Sequence, residues 1–260
     1  MQRIAVITGA ASGIGKATRE LLESRGERVI GVDLRGTDIS ADLTTAEGRK
    51  SMVDEVARLS GGTIDSIYAV AGLATPVVAT VAVNYFGAVA TLEGLRPLLA
   101  GSKSPRAVVV ASMASLQPVD EELSAAMKAG DEPKALARAT VLAEQPETLG
   151  GLIYSSSKRA LALWVRRNAA KPEWAGAGIP LNAAAPGVIA TPMTTQYTST
   201  EEARKAILEI VPMPLNGIAD AAVVARLLAW LGSEENTHLC GQVIFIDGGS
   251  DAVIRGESTW

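Results

Sequence analysis

The chain has 260 residues, 48% of them hydrophobic, with a formal net charge of -4 and no basic block, which sets aside nucleic acid and an anionic membrane surface as partners. Its one cysteine, Cys240, excludes an intrachain disulfide and a cysteine-based zinc site. Its one histidine, His238, falls in a loop with no nucleophile signature nearby, so a Ser-His-Asp triad is set aside as well.

Aromatic residues make up only 4%, while Ala, Val, Leu and Ile are plentiful. Such a core suits parallel strands buried on both faces and covered by helices. One α/β domain, residues 1–260, accounts for the whole length. The N-terminus runs straight into a strand-like segment, with no secretory signal and no apolar run of transmembrane length. These features predict a soluble cytoplasmic protein.

In chain order, Arg3–Thr8 is predicted as a buried strand. A glycine-rich turn from Gly9 to Gly15 and a helical pattern through Arg25 follow it, and Arg28–Val32 forms a second strand ending at Asp33. Glycines at such a turn let the backbone approach a pyrophosphate, whose charge is met by the helix N-terminus. Asp33 lies 18 residues after Gly15. A carboxylate there accepts hydrogen bonds from ribose hydroxyls and repels a 2′-phosphate, so NAD is predicted over NADP. Arg35 has two readings, a group that tolerates the phosphate or a solvated loop side chain.

Ile39–Leu43 is predicted as a short third strand, Thr45–Leu59 as an amphipathic helix stopped by Gly61-Gly62, and Asp65–Val70 as a strand ending in Ala71-Gly72. Val77–Leu99 is predicted as one long helix that carries Asn84 and is kinked or ended by Pro97. Ala107–Ala111 presents Ser112 at its carboxyl end, the side of an open α/β sheet where ligands bind. Gln117–Gly150 breaks the alternation with two helical segments too short for a core of their own. They read as an insertion over the active site or its rear surface. The helix Tyr154–Lys171 and a strand at Gly178–Ala184 follow. The proline-bounded stretch 191–216 suits a substrate lid. It offers Met193, Leu208, Ile210, Met213 and Leu215 as apolar contacts, with Met127 from the insertion. A helix at Ala219–Leu231 and a strand at Gln242–Ile246 complete a single-domain, Rossmann-like, doubly wound parallel sheet of about seven strands.

Tyr154 and Lys158 lie on one helical face. An ammonium beside a phenol favours the phenolate and lowers a reference pKa of about 10. That supplies a proton donor or acceptor near neutral pH without histidine.

With these pieces in order, the chain from Arg3 to Ser250 resembles the short-chain dehydrogenase/reductase family. Thr8-Gly9, Gly13 and Gly15 match its cofactor loop, which also contains Ser12 and Ile14. Asp33, followed by Leu34, matches the ribose acid of NAD-using members. Asp42-Leu43 matches the acid near the adenine amino group, although Asp42 also reads as a plain helix N-cap. Ala71-Gly72 matches the turn after the central strand, and Pro186-Gly187, Ile189 and Thr191 match the segment that holds the carboxamide. Asn84, Ser112, Tyr154 and Lys158 match the catalytic set. One departure is that Ala69-Val70 stands where the family often has two asparagines that brace the central strands.

The resemblance implies NAD(H)-dependent interconversion of a secondary alcohol and a ketone. Tyr154 exchanges the proton and Ser112, in preference to Ser115, binds the substrate oxygen. Lys158 lowers the tyrosine and binds the nicotinamide ribose, and Asn84 holds a water that links Lys158 to solvent. Within the family, Ala41–Lys50, Val83–Ala88, the insertion and Ile246–Gly249 resemble the bacterial 3α-hydroxysteroid dehydrogenase/carbonyl reductase group, which implies a hydroxysteroid or other bulky alicyclic or aromatic carbonyl substrate. A cis-dihydrodiol or hydroxyacyl dehydrogenase and a non-catalytic NAD-binding sensor are the alternatives. An enoyl reductase is disfavoured because the tyrosine–lysine gap is wider there. The family commonly associates through the Asn84 and Tyr154 helices. The insertion obstructs that face, so a dimer through Ala219–Ile246 is expected over a tetramer.

Overall fold

Short runs of aliphatic and β-branched residues, each closed by a turn, become strands buried on both faces. In the computed structural model, which describes residues 2–258, the strands are β1 (Ile4–Thr8), β2 (Arg28–Asp33), β3 (Ile39–Ser40), β4 (Ser66–Ala69), β5 (Arg106–Val110), β6 (Leu181–Pro186), β7 (Ile189–Ala190), β8 (Ala219–Asp220) and β9 (Val243–Ile246). Seven of them form one sheet in the order β3-β2-β1-β4-β5-β6-β9, with every pairing parallel. β7 and β8 form a small parallel pair beyond it. The order reverses between β1 and β4, which opens a crevice outside the carboxyl ends of the strands.

Alternation along the strands divides the core between two faces. Val6, Ile67 and Val109 face one side, and Ala5, Ile7 and Val108 face the other. α1 (Gly13–Ser24) covers the second side together with the later helix Ala221–Leu231. α2 (Ala46–Ser60) packs on the first side, capped by Thr45, whose hydroxyl accepts from Gly48 N–H, and ended by Gly61 in the left-handed region.

The helix predicted at Val77–Leu99 is composite. α3 (Val78–Val81) passes into a π-helical stretch, Ala82–Gly87, then α4 (Ala88–Leu95) and a 3₁₀ segment with Pro97 in its first turn. A π turn inside an α-helix commonly marks a functional position, and Asn84 sits within this one. The run Val78–Gly101 is long and apolar enough to cross a membrane, against the sequence expectation. Most of its apolar window is buried inside the protein, as in a core helix.

The insertion forms α5 (Glu121–Ala129) and α6 (Glu132–Ala143), capped by Asp120 and Asp131. Leu123, Met127, Ala135 and Leu142 join the larger core cluster. The pair packs on α7 (Gly150–Asn168) and α3, behind the cleft and not over it. Two of the serines between Tyr154 and Lys158 tether it there. Ser155 donates to the Pro118 carbonyl at 2.6 Å, and Ser156 accepts from Asp120 N–H at 2.9 Å. α8 (Thr195–Thr198), α9 (Glu201–Ile210), α10 (Ala221–Leu231) and α11 (Ser250–Arg255) complete the chain.

Candidate active site

The β1–α1 turn can be built only with glycine at two positions. Gly9 has φ 72°, and a Cβ there would lie 2.9 Å from Ala71 Cα. A Cβ on Gly15 would overlap the Gly9 carbonyl oxygen. The turn therefore closes on itself and against the exit of β4, leaving the first N–H groups of α1 facing the cleft. Thr8 replaces the missing asparagine brace. Its buried hydroxyl accepts from Val70 N–H at 3.1 Å and Ala71 N–H at 3.2 Å.

A cleft of about 350 Å³ runs from this turn across the sheet. Gly9, Ser12, Gly13, Ile14 and Gly15 line its floor, and Asp33, Leu34, Asp42 and Leu43 line one end. Asp33 stands at the end of β2, where its carboxylate accepts from Ala11 N–H at 3.0 Å and Leu34 N–H at 2.7 Å. Arg35 is exposed and does not line the cleft, which favours its solvated reading. Asp42 is not the helix cap, since Thr45 fills that position. The Thr44 hydroxyl and then its N–H hold the Asp42 carboxyl below the usual range. Asp42 is thus a fixed, exposed carboxylate at the rim.

The other end holds Ala71, Gly72, Ser112, Tyr154 and Lys158, closed by Pro186, Gly187, Ile189 and Thr191. The buried Lys158 Nζ donates to the Val110 carbonyl at 2.9 Å and lies 5.8 Å from the Tyr154 ring centre. Asn84 is fully buried behind the cleft. It accepts from Leu73 N–H at 2.8 Å and donates to the Leu73 carbonyl at 2.9 Å and the Ser157 hydroxyl at 3.1 Å. Its amide is committed to bracing the turn after β4 against α7. The amide oxygen uses one of its two lone pairs in these contacts, so they do not conflict with the water-holding role implied by the resemblance. Ser112 accepts from Ala114 N–H at 3.1 Å. Ser115 does not line the cleft, and its carbonyl accepts from Arg159 Nε at 2.6 Å, pinning the turn that follows Ser112.

The electrostatics correct one expectation. Burial raises the Tyr154 phenol above its ordinary value, and the hydrogen bond with Ser112 partly offsets this. Burial pushes Lys158 down to about 8. Desolvation thus opposes the lowering of the phenol expected from the lysine. The ordinary order is thereby reversed, the phenol holding its proton more tightly than the ammonium, and Ser112 is the neighbour that favours the phenolate.

The lid contacts differ from the sequence reading. Met193 lines the cleft. Met213 is buried with Met113, Ala114, Val188 and Val211 in a cluster against Tyr154, with Leu208 partly buried beside it. Met127 lies in the main core, while Ile210 and Leu215 are exposed. Sequence reasoning missed Val110 and Leu73, which act through backbone groups, and Thr44, which fixes Asp42.

A family model described as enoyl-(acyl carrier protein) reductase matches residues 9–251. With the glycine turn and the Ser112, Tyr154 and Lys158 constellation on one cleft, the chain belongs to the short-chain dehydrogenase/reductase family and is an oxidoreductase. Within that family it is 39% identical to the 3-alpha-hydroxysteroid dehydrogenase/carbonyl reductase of Comamonas testosteroni, covering 97% of this chain and 98% of that one. The cis-4-hydroxycyclohexanecarboxylate dehydrogenase of Sinomonas cyclohexanicum is 27% identical over 97% of this chain and 98% of its own. The crystal structure of the 3-alpha-hydroxysteroid dehydrogenase from Pseudomonas sp. B-0831 complexed with NADH superposes with a TM-score of 0.86, at 39% identity over 98% of this chain and 99% of that one.

Proposed function

We propose that this chain interconverts a secondary alcohol and a ketone with NAD(H), acting on a hydroxysteroid or another bulky alicyclic or aromatic carbonyl compound. The observation that carries the reading is one continuous cleft with Asp33 at one end and Ser112, Tyr154 and Lys158 at the other. The residues fit the cofactor. The glycine turn is a cradle that side chains would fill, and the rim carboxylate of Asp33 retains lone pairs for ribose hydroxyls.

Gly13, Ile14 and Gly15 would hold the pyrophosphate, Asp33 and Asp42 the adenosine half, and Lys158 the nicotinamide ribose. When bound, NAD(H) supplies or takes the hydride. Ser112 hydrogen-bonds the substrate oxygen where charge develops. The Tyr154 hydroxyl gives its proton to the forming alkoxide during reduction, and its phenolate takes one from the alcohol during oxidation. The protonated Lys158 favours the phenolate left behind.

The lining supports an uncharged substrate. Asp33, Asp42 and Lys158 are its only charged side chains among the described residues, so no free cation grips a carboxylate or phosphate of the substrate. The apolar cluster around Tyr154 offers a wall for rings. A nicotinamide-absorbance screen over ketosteroids, cyclic ketones, dihydrodiols and hydroxyacyl compounds tests the reading. Turnover confined to hydroxyacyl substrates would overturn it.

Asp33 sets cofactor choice. NADH is expected to exceed NADPH in kcat/KM by at least about a hundredfold, the scale of a like-charge juxtaposition. A preference for NADPH contradicts the assignment.

The same reading includes a cytoplasmic compartment and a homodimer. β9 is an open sheet edge, half-exposed along its length, and Trp230 on the neighbouring α10 is 40% exposed. The α3/α7 flank is already occupied by the insertion. Light scattering should give a mass of two subunits, and four would count against this interface.

A further inference from the structure

We infer that Arg49 is a positioning residue for the adenosine end of the cofactor site, and that Glu132 of the insertion holds it in place. The inference rests on the NAD(H) reading above. Arg49, in the first turn of α2, is buried, with 8% of its surface exposed. Its Nε donates to the Leu43 carbonyl at 2.7 Å, and one terminal nitrogen donates to the carbonyls of Thr44 at 3.3 Å and Ala82 at 3.1 Å. The two terminal nitrogens meet Glu132 in a bidentate pair at 2.8 and 2.7 Å. This one guanidinium therefore joins three segments, namely the loop after β3, the start of the π stretch and the start of α6.

Two of those segments form the cleft wall. Leu43 and Thr44 line the cleft, as does Val83, which follows Ala82. Thr44 also orients Asp42, donating to its carboxylate from N–H at 2.9 Å and from the hydroxyl at 2.7 Å. A displaced Thr44 carries Asp42 with it. The guanidinium fork keeps Thr44 in place only while its charge is balanced, because a buried cation without a partner is costly and draws in water. Glu132 supplies that balance from the first turn of α6, where a carboxylate is favoured by the helix dipole and Asp131 caps the end. The insertion lies behind the catalytic helix and never reaches the cleft. This ion pair is its route to the adenosine end of the cleft, where it affects coenzyme grip.

The test uses Glu132→Gln, which keeps the shape and removes the charge, and Arg49→Lys, which keeps the charge and loses the fork. NADH affinity is read by fluorescence titration, kcat at saturating NADH, and kcat/KM with reduced nicotinamide mononucleotide, which lacks the adenosine half. Both variants should weaken NADH binding by roughly three- to tenfold, the scale of one net hydrogen bond lost. They should leave kcat and use of the mononucleotide within about twofold. Unchanged NADH affinity in both variants overturns the inference. An equal fall with the mononucleotide also overturns it, since that is general structural damage. A wild-type protein that binds no NADH would instead sink the reading on which the inference rests.

Discussion

Tyr154→Phe is expected to lower kcat for ketone reduction by about a thousandfold, within the range for loss of a positioned general acid, while NADH affinity stays within about threefold. The substitution removes one hydroxyl and leaves the ring packed against the apolar cluster of Met113, Val188 and Met213. Lys158 keeps its bond to the Val110 carbonyl, so the cofactor end of the site is undisturbed. Loss of proton transfer then appears in kcat and not in binding. Near-normal turnover by this variant on every ketone accepted by the wild type would show that the proton comes from elsewhere.

Lys158→Met is expected to cut kcat/KM by at least about a hundredfold, because it removes both the charge proposed to favour the phenolate and the proposed donor to the nicotinamide ribose. The same variant has a second signature in the cofactor-free protein. The ordinary lysine value of 10.5 is pushed down to about 8 by burial. Below about 8 the ammonium is protonated in both folded and unfolded chains, and folding bears the full cost of burying it. Between about 8 and 10.5 the unfolded chain holds a proton that the folded chain has released, so this group makes stability rise with pH across that window. The full rise amounts to about 3 kcal/mol at 1.36 kcal/mol per pKa unit. Urea unfolding on either side of the window should show the wild type gaining on Lys158→Met as pH rises. Parallel profiles would mean that Lys158 is not desolvated as its contacts indicate.

What could be read in the sequence follows from the range of the forces involved. The sheet was legible because each strand is a short apolar run closed by its own turn, and the glycine turn was legible because Gly9 and Gly15 answer a local steric demand. Tyr154, Lys158, Ser112 and Asp33 carry side chains whose chemistry is visible in one letter. Backbone partners carry no such mark. Nothing in Val110 or Leu73 indicates that their carbonyls accept from Lys158 and Asn84. The Thr8 hydroxyl could be assigned to the β4 exit only once β1 and β4 were known to be neighbours. Met127 was misplaced for a related reason. Its spacing fits any apolar face, and only the docking of α5 against α7 sends it to the core instead of the cleft. The depressed lysine depends on total burial, which a sequence pattern does not measure.

Carrier and catalytic pair are tied together most directly by following the hydride itself. NADH deuterated at the nicotinamide C4, incubated with a ketosteroid or bulky cyclic ketone, should leave deuterium on the carbinol carbon of the product alcohol with the wild-type protein, and at a rate about a thousandfold lower with Tyr154→Phe. NADH bound tightly yet unconsumed across the whole ketone panel, with no label transferred, would contradict the account and leave a nicotinamide-binding sensor in its place.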